Sequence, residues 1–358
     1  MANPPEHVLP WLALRAQPGL SRSAAHRLLA HFGSAEAIWA ARAGDLRAAV
    51  APGLAAALAR GPDLAAARRE LEQAVERGLR VLAPGAPDYP HCVASIPDPP
   101  LLLWLRGVLP ERPGLAIVGA RRASTRGRGV ARKLARAAAG AGVAVVSGLA
   151  YGIDAAAHEG ALEAGGPTLA VLASGLDRPS PRGNLGLARR LLDASGAWLS
   201  EYPPGTEPAP YRFPERNRLI SALSRAVLVV EAGERSGSLW TVRHALDQGR
   251  DVLAVPGPID TASCLGSNRL LRDGAVVILD ERDLLDQVAS GMAPAPPSRP
   301  ALRGDAARLW AALADGPAEL DSLSDRLALA PGPLASALLE LELAGLAGRD
   351  GSRVLRTG

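Results

Sequence analysis

The 358-residue sequence predicts an α/β protein, with a doubly wound, mostly parallel Rossmann-like sheet between an N-terminal helical domain and a C-terminal winged-helix domain. Three observations carry this expectation. Short Val/Ile/Leu-rich runs recur through the centre of the chain with helical patterns between them. Uninterrupted apolar strands alternating with helices belong to parallel sheets covered on both faces. Before this region the chain is rich in Ala, Leu and Arg at helical spacing, and after it a Pro/Ala-rich stretch sets off three more helical patterns and a hairpin-like tail.

In chain order, residues 1–82 read as short helices. Within "QPGLSRSAAHRLLAHFGSAEAIWAA", Gly19 makes a turn and Ser21 or Ser23 an N-cap. "APGLAAALARG" repeats the Pro-Gly-Leu turn. Helix–turn–helix units of this kind can aim backbone N–H groups at a phosphate, but as often they only pack. Residues 83–288 are expected to form the sheet domain, with strands at 115–119, 143–147, 168–173, 226–231, 251–256 and 275–279. Helices are expected between them at 126–141, 153–164, 184–195 and 238–249. Residues 289–302, "ASGMAPAPPSRPAL", read as a linker. Residues 303–358 have the three helices and wing of a winged helix. Its third helix carries Glu340 and Glu342 and no arginine, and only the wing (Arg349, Arg353, Arg356) is basic. A groove-reading helix needs cations and amides, so a protein-contact or accessory role is favoured there.

Composition narrows the class of function. The net charge is +4 and the isoelectric point near 9.5, a mild sign of an anionic partner. Lys133 is the only lysine among 40 basic residues. Arginine's planar fork suits phosphate and stacks on aromatic rings. A general bias towards Ala, Gly, Pro and Arg explains most of that total, so position must identify the arginines that matter. Cys92 and Cys264 lie far apart with no metal-ligand spacing, the usage of a reduced, intracellular protein. The N-terminus is not a signal peptide and no apolar run is long enough to span a bilayer, so a cytoplasmic, membrane-free protein is expected.

In open α/β sheets ligands bind beyond the carboxyl ends of the strands. The strand exits here read "GARRASTRGRG", "SGLAYGID", "SGLDRPSPRGN", "EAGERSGSLWT" and "PGPID", repeatedly glycine, serine and arginine. A nicotinamide or flavin site is disfavoured. The first exit lacks G-x-G-x-x-G, and no acidic residue occurs between Arg112 and Ile153 to hold a ribose hydroxyl. Arg121 and Arg122 directly follow a strand and are expected at the crevice, whereas Arg132, Lys133 and Arg136 read as a solvated helix face. Ser236, Gly237 and Ser238 open a helix beside Arg235, where free N–H groups attract an anion; the plainer alternative makes Ser236 an N-cap only.

"YRFPERNRLISALSRA", residues 211–226, sets Arg212, Arg216 and Arg218 around Phe213 and Asn217. Cations that follow a phosphate backbone, with a ring to face a base, hold single-stranded nucleic acid. The alternative is an arginine-rich salt-bridge loop between domains. Asp154 and His158, four residues apart, could pair for acid–base work, but more ordinarily they are a helix cap and a buried histidine. No nucleophile elbow, zinc-protease helix, P-loop or paired cysteines occur, so no catalytic residue, metal or cofactor is expected.

With these residues in view, "AIVGARRAST", "VVSGLAYGIDAAAHEGAL", "FPERNRLISALSRAVLVVEAGERSGSLWTVRHALDQGR" and "GSNRLLRDGA" resemble the DNA-processing protein A family (DprA, also called Smf), and the likeness runs in order from about 110 to 285. The resemblance implies a cytoplasmic bacterial homodimer that is not an enzyme. It would bind single-stranded DNA and load the RecA recombinase onto it, in natural transformation or recombination. By matching position the DNA pocket would include Arg121, Ser147, Gly148, Arg216, Asn217, Arg218, Ser236, Gly237 and Ser238. Tyr151 stands where many relatives place arginine, and Ser180 where tyrosine is usual before the proline. A second reading from another class is a nucleotide-acting enzyme resembling an N-glycoside hydrolase, with Glu231 as its carboxylate.

Overall fold

A computed structural model describes residues 5–288, 302, 304–313, 316–343, 346–350 and 353–356. The expected linker 289–302 lies outside these residues except for Leu302, as does Gly351 of the expected wing turn. The chain divides into two compact units, Met1–Ala295 and Pro296–Gly358.

The first unit is built on a nine-stranded sheet. Its strands are β1 (Arg80–Leu82), β2 (Leu103–Gly107), β3 (Gly114–Val118), β4 (Val145–Ser147), β5 (Thr168–Val171), β6 (Ala197–Ser200), β7 (Ser224–Val229), β8 (Asp251–Ala254) and β9 (Val276–Val277). They lie in the order β1-β2-β6-β5-β4-β3-β7-β8-β9. From β6 to β9 every neighbour is parallel, while β1–β2 and β2–β6 are antiparallel. All six expected strands are present. β1, β2 and β6 are additions, short or proline-flanked apolar runs that carry no period of their own.

The chain leaves β3 outward through β4, β5 and β6, then returns to place β7 on the other side of β3. The strand order therefore reverses between β3 and β7, and a crevice must open at their carboxyl ends because the two following connections diverge to opposite sides.

Side chains alternate between the two faces as the pleat requires. Ala116 and Val118 of β3 join Val227 and Val229 in one core, and Leu115 and Ile117 join Leu228 and Leu253 in the opposite one. Helices Thr125–Gly140 and Ile153–Glu163 cover the second face beside β3 and β4. Further along that face, Ala170 of β5 and Trp198 of β6 pack into the core formed by the N-terminal helices, with Leu12, Leu28 and Leu71. Region 1–82 thus shares a core with the sheet. Ser21 caps Arg22–Phe32, its side chain accepting from the Ala24 N–H.

In the second unit, helices Gly304–Ala312, Leu320–Leu327 and Pro331–Leu343 accompany a three-stranded antiparallel sheet with strands Ala318–Glu319, Ala347–Asp350 and Arg353–Arg356. Leu309, Leu323, Leu338, Leu341 and Val354 form its core. The wing's charge is partly spent internally. Arg349 pairs with Glu342 at 3.0 Å, and Arg356 stacks 4.0 Å from the Trp310 ring.

Candidate nucleic-acid interface

At the carboxyl ends of β3 and β7 lies a crevice of about 740 Å³. Three segments distant in sequence meet there: "GARR" after β3, the helix Arg212–Ala222 that precedes β7, and "RSGSLWT" after β7. The 211–226 stretch is therefore mostly helix rather than loop. Pro214 is tolerated because it falls in the first turn, where its missing N–H has no intrahelical partner. Asn217 joins this helix to the third segment, donating from Nδ2 to the Gly237 carbonyl at 3.4 Å.

Of the residues expected at the site, Arg121, Arg122, Phe213, Arg216, Asn217, Ser236, Gly237 and Ser238 line the crevice. Arg235, flanking the serines, lines it too. Arg121, Arg122 and Arg235 are exposed and have no carboxylate partner among the described residues. Arg121 stands 4.9 Å over the Phe213 ring, which occupies one face of that ring. The helix after β7 starts at Ser238, with Gly237 at its N-cap, and its first N–H groups are taken locally. Ser238 donates to Ser236 Oγ, Leu239 to the Ser236 carbonyl and Trp240 to the Gly237 carbonyl. What this end offers the crevice is its dipole and the two serine hydroxyls. Ser236 and Ser238 share a hydroxyl–hydroxyl hydrogen bond of 2.8 Å there.

The other expected residues are placed differently. Ser147 is fully buried and donates to the Ile117 carbonyl at 2.7 Å, because its position in a central strand turns the hydroxyl into the sheet. Gly148 lies beneath the crevice. A methyl group there would come within 2.5 Å of Arg216 Nη2 and 2.8 Å of Asp154 Oδ2. Arg212 stays outside, its guanidinium 5.2 Å from both the Tyr202 and Tyr211 rings and its Nη1 donating to the Glu207 carbonyl. Gly152 closes the "SGLAYGID" turn at φ 80°, where a side chain would be strained and would meet the Ala120 carbonyl.

Arg218 corrects the expectation of three phosphate-facing arginines. It is only 1% exposed and grips carboxylates: Nη1 and Nη2 each donate to Glu201 at 2.7 Å, and Nε donates to Asp98 Oδ2 at 2.8 Å. Burial works against its charge, but Glu201 and Asp98 outweigh that and raise its pKa. Arg218 is thus a salt-bridge residue, as the alternative had it, but on a helix and within the sheet domain rather than in a loop between domains. Helix geometry separates it from Arg216, since residues two apart point to opposite sides.

Arg216 is intermediate. It contributes to the crevice wall yet is 3% exposed, its Nη1 donating to the Gly148 and Val171 carbonyls. Burial lowers its pKa to about 10 against the pull of Asp154. The crevice floor therefore carries a fixed positive charge held by backbone oxygens, which orients the field without extending the side chain to a ligand.

The acid–base candidates are held in structural contacts, although His158 Nε2 is buried without a hydrogen-bond partner among the described residues. Asp154 accepts from the Gly148 and Ala150 N–H groups at 3.1 and 3.3 Å, and burial raises its pKa despite Arg216. His158 turns away from it to Thr168, with Nδ1 at 2.7 Å from Oγ1, and burial depresses its pKa to about 3. Glu231 is buried and accepts from the Ser124 N–H and, at 2.6 Å, from its hydroxyl. It thus complements the N-terminus of the helix Thr125–Gly140 and is absent from the crevice lining. Gly127 is required beneath it, since a methyl group there would lie 2.1 Å from Oε2. Among the described residues no group of three or more His, Cys, Asp or Glu is placed to hold a metal ion, and no helix is long and apolar enough to cross a membrane.

The sequence did not single out Trp240, which lines the crevice from the first turn of its helix. Its signal was adjacency to the Ser-Gly-Ser turn in "SGSLWT".

A mostly parallel sheet with a topological switch, and arginines without carboxylate partners among the described residues at that switch, define a Rossmann-like α/β protein with an arginine-lined crevice. The chain belongs to the DNA recombination-mediator protein A family, whose profile matches residues 80–289, and the DprA winged helix domain matches 293–351. Protein Smf of Escherichia coli K12 is 38% identical over 268 residues, covering 72% of this chain and 72% of that protein. Protein Smf of Synechocystis is 36% identical over 321 residues, covering 78% and 80%. Among solved structures, DNA processing protein A from Streptococcus pneumoniae superposes with a TM-score of 0.68 at 32% identity, covering 79% of this chain and 98% of that one. The Helicobacter pylori protein, described for its single-stranded DNA binding mode, superposes with a TM-score of 0.52 at 29% identity, covering 58% and 94%.

Proposed function

We propose that the chain binds single-stranded DNA in the β3–β7 crevice and loads the RecA recombinase onto it, in natural transformation or recombination, without catalysing a reaction. The observation that carries this reading is the meeting of Arg121, Arg122 and Arg235, all exposed and without carboxylate partners, at a helix N-terminus. Cations beside the positive end of a helix dipole bind a phosphate backbone without regard to sequence. Family membership and the single-stranded DNA binding for which the H. pylori relative is described support the strand specificity. The hydrolase reading loses its carboxylate, because Glu231 is committed to Ser124. In the proposed division, residues 83–288 hold the strand, 1–82 brace the sheet, and 303–358, beyond the linker 289–302, serve other contacts in the cytoplasm.

Fluorescence anisotropy with a labelled oligonucleotide, single-stranded and duplex, tests the reading. The single strand should bind more tightly, and log affinity should fall against log salt by roughly 0.7 for each phosphate neutralised. Equal affinity for the two forms would overturn it. RecA filament assembly on the same strand should accelerate when the chain is added; no acceleration removes the loading role and leaves strand binding intact.

We also propose that the chain is a homodimer. Among the described residues β9 ends the sheet and pairs only with β8, and beside this edge Val277 and Leu279 are 45% and 72% exposed. An apolar unpaired edge is a ready surface for a second chain. Sedimentation equilibrium should show a dimer that Leu279→Asp converts to a monomer. A monomeric parent protein at micromolar concentration would refute this.

A further inference from the structure

We propose that Trp240, flanked by Arg243, is a base-stacking platform at the crevice that makes binding depend on accessible bases as well as phosphates. This rests on the reading of the crevice as a single-stranded DNA site. Of the six tryptophans in the chain, Trp11, Trp104 and Trp198 are buried and Trp39 and Trp310 half-buried, whereas Trp240 is 48% exposed. An indole carries a large apolar surface that folding normally removes from water. This one is held instead at the crevice lining, in the first turn of the helix whose N-terminus faces the same space.

Its surroundings suit a nucleotide. Arg243, one turn along the helix, places its guanidinium carbon 5.8 Å from the indole centroid. Arg243 is exposed and has no carboxylate partner among the described residues, so its charge is available to a phosphate. The other aromatic of the crevice is less exposed. Each ring has an arginine over one face, Arg121 on Phe213 and Arg243 on Trp240, but Phe213 is half-buried whereas Trp240 stands open to solvent. A base entering beside the arginines therefore finds its larger exposed ring at Trp240. Base–aromatic stacking tolerates any sequence, since every base has a π-face, but it needs a base that is not stacked between neighbours in a duplex. The arginines read phosphates, which both forms of DNA present. Trp240 reads unstacked bases, which only the single strand offers.

The test compares an ordinary single-stranded oligonucleotide with an abasic one of equal length, which keeps the phosphates and removes the bases. Trp240→Ala should weaken binding of the ordinary strand about tenfold, within the range that stacking contributes per base. It should leave the abasic strand and the salt slope unchanged. Trp240→Phe should restore most of the affinity while abolishing the quenching of tryptophan emission that the ordinary strand produces in the parent protein. Thermal unfolding should not change, because the side chain is half in solvent. If Arg121→Ala weakens binding while Trp240→Ala does not, the crevice stands and the stacking role of Trp240 is overturned. Equal losses on both strands overturn it as well, because they mark a structural or purely electrostatic role. If Arg121→Ala and Trp240→Ala both bind as the parent does, the crevice reading fails and takes this inference with it.

Discussion

Replacing Arg218 by alanine should destabilise the protein by about 3–5 kcal/mol while the folded fraction keeps its affinity for DNA. The guanidinium is buried to 1% exposure, and all three of its nitrogens are engaged, by both oxygens of Glu201, by Asp98 and by the Glu215 carbonyl. Glu201 is itself nearly enclosed, its side chain 9% exposed. Removing Arg218 leaves that carboxylate with little water and with only the more distant cation of Arg22, at 3.4 Å and much more exposed. Breaking one side of a buried pair is far more harmful than never having built the pair, because the remaining charge keeps its desolvation penalty. The melting temperature should fall by on the order of 10 °C for a unit of this size. Arg218→Lys should recover only part of the loss, since an ammonium cannot make the two parallel bonds to Glu201. Thermal unfolding followed by circular dichroism, with anisotropy below the transition, reads both quantities. An unchanged melting temperature combined with weakened DNA binding would return Arg218 to the phosphate contacts and show its carboxylate partners to be incidental.

The opposite pattern is expected for the exposed arginines of the crevice. A variant carrying Arg121→Ala, Arg122→Ala and Arg235→Ala should lose about a hundredfold or more in affinity for single-stranded DNA at low salt, since hydrogen bonds to charged groups are each worth roughly 1.5–3 kcal/mol. The slope of log affinity against log salt should flatten by roughly 2, the release expected for three phosphate contacts on a single strand. Stability should hardly move, because exposed side chains without partners contribute little to folding. Arg121 is a partial exception through its stack on Phe213, and a small drop in melting temperature would come from that contact. A salt slope equal to that of the parent protein, with full affinity, would show that the strand runs elsewhere. The two variants together separate arginines that hold the fold from arginines that meet a ligand.

Much of this protein was legible before any coordinates. The alternation of Val/Ile/Leu runs with helical spacing is a local pattern, and it located all six expected strands. The glycines and serines after those strands marked the ligand end of the sheet, because backbone that must stay accessible at a turn needs small residues. β1, β2 and β6 escaped because their apolar runs are short or proline-flanked, even though the helix Leu185–Asp193 leads directly into β6. Arg121, Arg122 and Ser236–Ser238 line the crevice, where adjacency to a strand end or a helix start led them to be expected. Ser147 does not, because it is fully buried and its hydroxyl is spent on the Ile117 carbonyl of the neighbouring strand.

The sequence by itself determined the fold class, the family and the end of the sheet where the crevice opens, since each follows from spacing along a few tens of residues. Only the tertiary structure decided what each charge does. Arg216 and Arg218 are nearly identical in the sequence, yet one is held by the carbonyls of Gly148 and Val171 and the other by Asp98 and Glu201. Asp98 lies 120 residues from Arg218, and Gly148 lies 68 from Arg216. The free energy of a guanidinium depends on the dipoles and charges within a few ångströms of it. Those neighbours are brought together by folding, and no periodicity along the chain records them.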